Sequence, residues 1–151
     1  MATLKSTRYR NQSNLGDRLA GVHCPVVPCT FSAAIAASDV LKVQKLPKEV
    51  TLVNPGAWFV ETSADFDTGT NLTFSLVVTD GSTTKTIISG STIAQGAAAR
   101  ALADTGGLGW LGFETDNDSY EVQLLFPAGP STATSGTFTV GFGYSTQRTN
   151  R

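Results

Sequence analysis

Charge is scarce in this chain: Asp, Glu, Lys and Arg make up 15% of its 151 residues, against roughly 25% in a typical soluble domain. Thr, Ser, Gly and Ala are abundant instead, so the surface is polar but weakly charged, and few charges need be desolvated when it packs against another protein. Histidine is nearly absent, with His23 the only one. A Ser-His-Asp or Cys-His centre needs a base near neutral pKa, so both lose their usual candidate, and His23 reads as a structural or exposed residue. No glycine-rich phosphate loop is present, because Gly106-Gly107-Leu108-Gly109 has neither the lysine nor a following helix. No apolar run approaches the ~18 residues of a membrane span. The polar, basic stretch Met1 to Arg10 is not followed by the ~7 apolar residues of a secretory signal, so synthesis and residence in a cytoplasm are expected.

The charges that are present divide along the chain. Lys5, Arg8, Arg10 and Arg18 stand against Asp17 in residues 1–30, Arg148 and Arg151 close the chain, and the remaining eleven acidic residues face only Lys42, Lys45, Lys48, Lys85 and Arg100 between them. Basic ends thus flank an acidic body. Four scattered cations without a run are a weak nucleic-acid signal, and such an arm more often docks on a protein neighbour. No direct nucleic-acid partner and no membrane partner is expected.

Cysteine is limited to two residues, in His23-Cys24-Pro25-Val26-Val27-Pro28-Cys29. A structural zinc site wants four ligands, usually as two close pairs, and there is no second pair. Two unpaired thiols is the favoured state in a reducing compartment, with a disulfide across the two-proline loop and a metal site as the alternatives. Asp65, Asp67, Asp116 and Asp118 could in principle bind calcium or act as a glycosidase pair. They lie, however, where turns select Asp for backbone reasons. Trp58, Trp110, Phe59, Phe113 and Tyr120 could form a sugar platform, but aromatics at strand positions are usually core. Trp58 and Phe59 are neighbours, so one of them must face outward or into an interface. No catalytic residue, metal ligand or cofactor is expected.

Two-residue periodicity dominates the rest. Leu72, Phe74, Leu76 and Val78 share one face of a strand over Asn71 to Thr79, closed by the hairpin signal Asp80-Gly81 and answered by Thr84 to Ser89. Ala57 to Ala64 puts Trp58, Val60 and Thr62 together, and is expected to lie antiparallel beside the Asn71 strand. Further strands are expected at Thr30 to Ala36, Asp39 to Lys45, Val50 to Val53, Leu108 to Glu114, Ser119 to Phe126 and Thr137 to Ser145. Asn54-Pro55-Gly56 predicts a bulge or tight turn. Residues 90–107 predict a loop with at most a short helix over Ala97 to Ala103. The last strand carries Phe138, Val140, Phe142 and Tyr144 on one face, and small residues on the other that would let another backbone lie close. The predicted fold is all-β: an antiparallel β-sandwich of jelly-roll type, with residues 1–30 as an extended amino-terminal arm, 31–145 as the sandwich and 146–151 as a basic tail.

The runs Asp39-Val40-Leu41-Lys42-Val43-Gln44-Lys45-Leu46-Pro47-Lys48, Asp67-Thr68-Gly69-Thr70-Asn71-Leu72-Thr73-Phe74-Ser75-Leu76, Thr79-Asp80-Gly81 and Ser135-Gly136-Thr137-Phe138-Thr139-Val140 up to Tyr144 form a pattern of strands and turns. Over residues 31–145 it resembles the small capsid decoration (cement) and related head structural proteins of tailed bacteriophages. Asn54-Pro55-Gly56 and the cysteine-containing arm depart from that pattern. The resemblance implies a non-enzymatic virion protein, assembled in the host cytoplasm, that sits on the outer capsid surface and binds major capsid protein and its own copies as a dimer or trimer. The residues expected to make such contacts are Arg8, Tyr9, Arg10 and Arg18 of the arm, with Asn54, Pro55, Trp58 and Phe59 of the body. A carbohydrate-binding or adhesin-like module, a small hydrolase, and a tail or connector protein of the same virion are the competing readings.

Overall fold

The computed structural model describes residues 1–5, 21–63, 66, 71–96 and 99–146. Twelve strands run through them: β1 (Thr3–Lys5), β2 (Val22–His23), β3 (Val26–Phe31), β4 (Val40–Lys45), β5 (Thr51–Leu52), β6 (Phe59–Thr62), β7 (Thr73–Thr79), β8 (Thr84–Ser91), β9 (Arg100–Leu102), β10 (Glu121–Ala128), β11 (Gly136–Gly141) and β12 (Tyr144–Ser145). They form a five-stranded sheet in the order β1-β4-β10-β7-β8, a four-stranded sheet β3-β11-β6-β9, and a small sheet β2-β12-β5. Every pairing is antiparallel except that of β1 with β4. The expected all-β antiparallel sandwich of jelly-roll type is the observed fold.

The two larger sheets pack face to face because each strand sends alternate apolar residues inward. Val122, Leu124 and Phe126 on β10, Phe74, Leu76 and Val78 on β7, and Phe138 and Val140 on β11 are all fully buried. Phe138 is the meeting point. Its ring centroid lies 4.4 Å from that of Phe66, 5.5 Å from Phe74, and 5.6 Å from both Phe31 and Phe126, mostly in the edge-to-face geometry that aromatic quadrupoles favour. The β7–β8 hairpin forms as expected, with Thr79 opposite Thr84. Asp80 holds its turn, its Oδ1 accepting from the N–H groups of Ser82 at 2.9 Å and Thr83 at 2.6 Å.

Several expectations are corrected. β6 and β7 are not neighbours: β6 pairs with β11 and β9, while β7 pairs with β10 and β8 in the opposite sheet. Both strands have a buried face, and the ten residues between them are enough to pass from one layer to the other. The passage is fastened by Phe66, which is buried, donates its N–H to Ala94 O at 2.9 Å and accepts from the Thr132 and Ala133 N–H groups.

Leu108 to Glu114 is not a strand. Thr105–Leu108 is a single helical turn, α1, capped by Asp104, whose carboxylate accepts from Gly107 N at 2.7 Å and Ser89 N at 2.9 Å. The turn lies against β8 so closely that a Cβ on Gly107 would collide with the Ile87 carbonyl. Beyond it only an isolated bridge joins Glu114 to Thr51. Of the helix expected over 97–103, residues 97 and 98 lie outside the described residues, and Arg100–Leu102 is instead strand β9.

The expected boundary between arm and sandwich falls inside β3, which pairs along its whole length with β11. Val27, Cys29 and Phe31 alternate inward from β3, so this part of the proposed arm is core. Pro28 is tolerated because β3 is an edge strand and Pro28 lies on its exposed side.

Because Phe138 joins both sheets, Phe138→Ala should destabilise the protein by about 3–5 kcal/mol. Urea denaturation would measure this as a lower midpoint with an unchanged slope.

Candidate contact surface

The outer face of the four-stranded sheet is built in cross-strand rows. In the first, Val26 stands opposite Gly141, Gly141 opposite Phe59, and Phe59 opposite Leu102. Val26 is 52% and Leu102 61% exposed, whereas Phe59 is half-buried. Phe59 lies flat because Gly141 leaves room: a Cβ there would run into the Phe59 ring and the Ala57 carbonyl. The small face of the last strand does receive another stretch of backbone, and that stretch belongs to this same chain.

The second row is Pro28, Thr139, Glu61 and Arg100. Arg100 places its guanidinium 4.3 Å from the centre of the Phe59 ring and donates through Nε, at 3.0 Å, and Nη2 to Glu61 Oε2. Both members of this pair are about half exposed, so it adds little stability, but it neutralises the only two charges in the row. The third row pairs Thr30 with Thr137, their hydroxyls 3.2 Å apart. The face is therefore an apolar ridge beside a neutral, hydroxyl-bearing floor. The ridge itself carries no charge for a partner to desolvate, whereas the Arg100–Glu61 pair beside it would be dried only at a cost.

Asn54 and Pro55 form a corner beside it. Asn54 has a left-handed backbone with φ 61° and opens the 3-10 turn Pro55–Ala57, while its amide donates to Cys24 Sγ at 3.2 Å. Both residues are exposed. The structure thus brings Asn54, Pro55 and Phe59 to one corner. It does not bring Trp58 there: Trp58 has no exposed surface, and its Nε1 donates to Val53 O at 3.0 Å. Of the adjacent pair, Trp58 faces inward and Phe59 outward. Arg8, Tyr9, Arg10 and Arg18 lie outside the described residues. Sequence reasoning missed Val26, Glu61, Arg100 and Leu102, because β9 has only three residues and Val26 sits between prolines.

Of the turn carboxylates, Asp116 takes part in a turn of its own. Asn117 ties the Asp116 turn together, donating to Asp116 Oδ1 at 3.0 Å and accepting from Ser119 N at 2.8 Å. Asp65 and Asp67 lie outside the described residues. Beside Asp118 a groove of about 410 Å³ is lined by Lys42, Lys45, Asp80 and Glu121, with Lys42 Nζ 2.8 Å from Glu121. No group of three metal-ligating side chains occurs among the described residues.

His23 stacks on Tyr144 with centroids 5.1 Å apart. The aromatics form no common platform: Trp58 and Tyr120 are buried, and Trp110 and Phe113 sit under Lys85, whose Nζ is 4.2 and 4.9 Å from their rings.

Both cysteines are free thiols, Cys24 exposed and Cys29 buried. Burial pushes the Cys29 thiol up to about 12, and the thiolate is the reactive form. Iodoacetamide at pH 8 should therefore label one cysteine in the native protein, Cys24, and two after denaturation; rapid native labelling of Cys29 would contradict this packing. The hydrogen bonds from the Thr83 and Ser82 N–H groups hold the Asp80 carboxyl below the ordinary aspartate range. Asp80 stabilises the folded state above the unfolded aspartate value, and that contribution is lost as pH falls through its lower folded value. A carboxyl-detected NMR titration should place the Asp80 midpoint below those of exposed aspartates.

No protein-family model and no curated protein matches this chain. Two solved structures do. A chain in the capsid of Ralstonia phage GP4 is 19% identical with a TM-score of 0.62, the match covering 97% of this chain and 99% of that one. A chain in the capsid asymmetric unit of cyanophage Pam1 is 21% identical with a TM-score of 0.59, covering 89% of this chain and 97% of that one. At these identities the likeness is one of fold, and it extends over nearly the whole length of all three chains.

Proposed function

We propose that this chain is a non-enzymatic structural protein of a phage virion, which decorates the outside of the assembled head and stabilises it by binding major capsid protein subunits. The observation that carries the reading is the near full-length fold shared with chains of two phage capsids. The neutral outer face of the four-stranded sheet supports it with a surface suited to protein contact. In this reading Val26, Phe59 and Leu102 form the apolar centre of the contact, Asn54 and Pro55 its rim, and the basic residues Arg8, Arg10 and Arg18 reach further across the shell. Copies associate as a dimer or trimer, and each weak contact is multiplied over a repeating surface. Neither a membrane nor nucleic acid is a partner.

The test is co-sedimentation with phage heads purified without the protein. Wild-type protein should pellet with the heads. Leu102→Asp buries an unpaired carboxylate in the contact and should weaken binding at least about tenfold, or about 1.4 kcal/mol. Because Leu102 lies on the exposed side of an edge strand, the melting temperature should hardly move. Wild-type protein that stays in the supernatant would overturn decoration; a Leu102→Asp variant that pellets normally would show that another face makes the contact.

A further inference from the structure

The five-stranded sheet ends in a seat for the short strand β1. β1 is one of its two edge strands and the one parallel strand among the described residues, where it pairs through Thr3, Leu4 and Lys5 with Val40, Leu41 and Lys42. The seat is specific. Val40 N donates to Ala2 O at 3.0 Å, and Ala2 N donates to Asp39 Oδ1 at 2.9 Å. Asp39 is only 5% exposed, and its other oxygen is committed to Ala36 N at 2.8 Å. Without a strand in the seat, a nearly buried carboxylate loses one of these donors, and β4 becomes an open edge. The sandwich thus has a standing requirement for an amino-terminal strand.

Nothing in these contacts requires that the strand come from the same chain. Fifteen residues separate Lys5 from Gly21, a length that spans up to about 50 Å when extended. Covalent connection over so few residues supplies a chain's own strand at an effective concentration of order millimolar. Copies packed side by side on a shell supply a neighbour's strand at a comparable concentration. Exchange of an identical element costs little, because the contacts made are the same. The gain is that each exchanged strand ties one copy to the next.

We infer that, where copies are crowded, β1 of one copy docks on the β4 edge of an adjacent copy, with Asp39 as the fixed acceptor for the incoming Ala2 N–H. This rests on the shell-bound role proposed above and names the contact between copies that such a role requires.

Thr3 and Val40 are cross-strand partners, Thr3 exposed and Val40 partly so, and neighbouring strands lie within disulfide reach. In a Cys24→Ser background, a Thr3→Cys chain is mixed with a Val40→Cys chain, bound to heads, pelleted, oxidised, and run on a non-reducing denaturing gel. A mixed covalent dimer forms only if the strand of one chain docks on the other. It should be at least about tenfold more abundant on heads than at micromolar protein in solution, and Asp39→Ala should reduce it. The double variant Thr3→Cys/Val40→Cys on heads reports whether the seat closes within one chain. Intramolecular closure with no mixed dimer, or no disulfide in any combination, would overturn the inference. The mixture is also oxidised at millimolar protein without heads. Failure to pellet then counts against decoration alone, while exchange is judged by the millimolar sample.

Discussion

Everything in this sandwich depends on β11 having two different faces. Inward, Phe138 and Val140 are fully buried, and Phe138 touches aromatic rings from both sheets. Outward, Thr137 and Thr139 present hydroxyls between the flanking strands β3 and β6, and Gly141 leaves the room in which the Phe59 ring lies flat. The same strand that holds the two layers together also levels the surface between Val26 and Leu102. The packed core and the level outer face are consequences of one alternation of large and small residues.

That alternation is also why much of the fold is legible in the sequence. β7, β10 and β11 follow a two-residue period, and Asp80-Gly81 marks the β7–β8 turn, because burial of one face and turn geometry both act locally. What is not legible depends on distant partners. β9 is recruited by pairing with β6 and has no period of its own over three residues. The strand expected at 108–114 gives way to the end of α1 and the successive turns after it, Leu111 N donating to Leu108 O and Phe113 N to Trp110 O, in a segment that Gly107 lets close against Ile87. The β6–β7 adjacency fails because an amphipathic strand records which face is buried but not which sheet it joins. β3 does carry a signal, in Val27, Cys29 and Phe31, but the prolines at 25 and 28 obscure it. They are compatible with a strand only at a sheet edge, a fact of topology rather than of local sequence.

The candidate contact surface divides in the same way. Phe59, Asn54 and Pro55 could be singled out from adjacency and turn chemistry, since one of two neighbouring aromatics must face outward. Which of the two does so was settled by Trp58 finding the Val53 carbonyl in the core. Val26, Glu61, Arg100 and Leu102 become a surface only when four strands from distant parts of the chain are laid side by side. Arg100 and Glu61 are thirty-nine residues apart in sequence, yet they cancel each other and leave the ridge neutral. Low overall charge therefore has a local counterpart where a partner is proposed to sit.

We propose that this neutral sheet face, in a chain that shares its fold with chains of two phage capsids, meets the shell. A cryo-electron microscopy reconstruction of heads carrying the protein tests it most directly. Density for the sandwich is expected on the outer surface, with the Val26, Phe59 and Leu102 ridge buried against capsid subunits. Decorated heads in which that ridge faces solvent in every copy would contradict it.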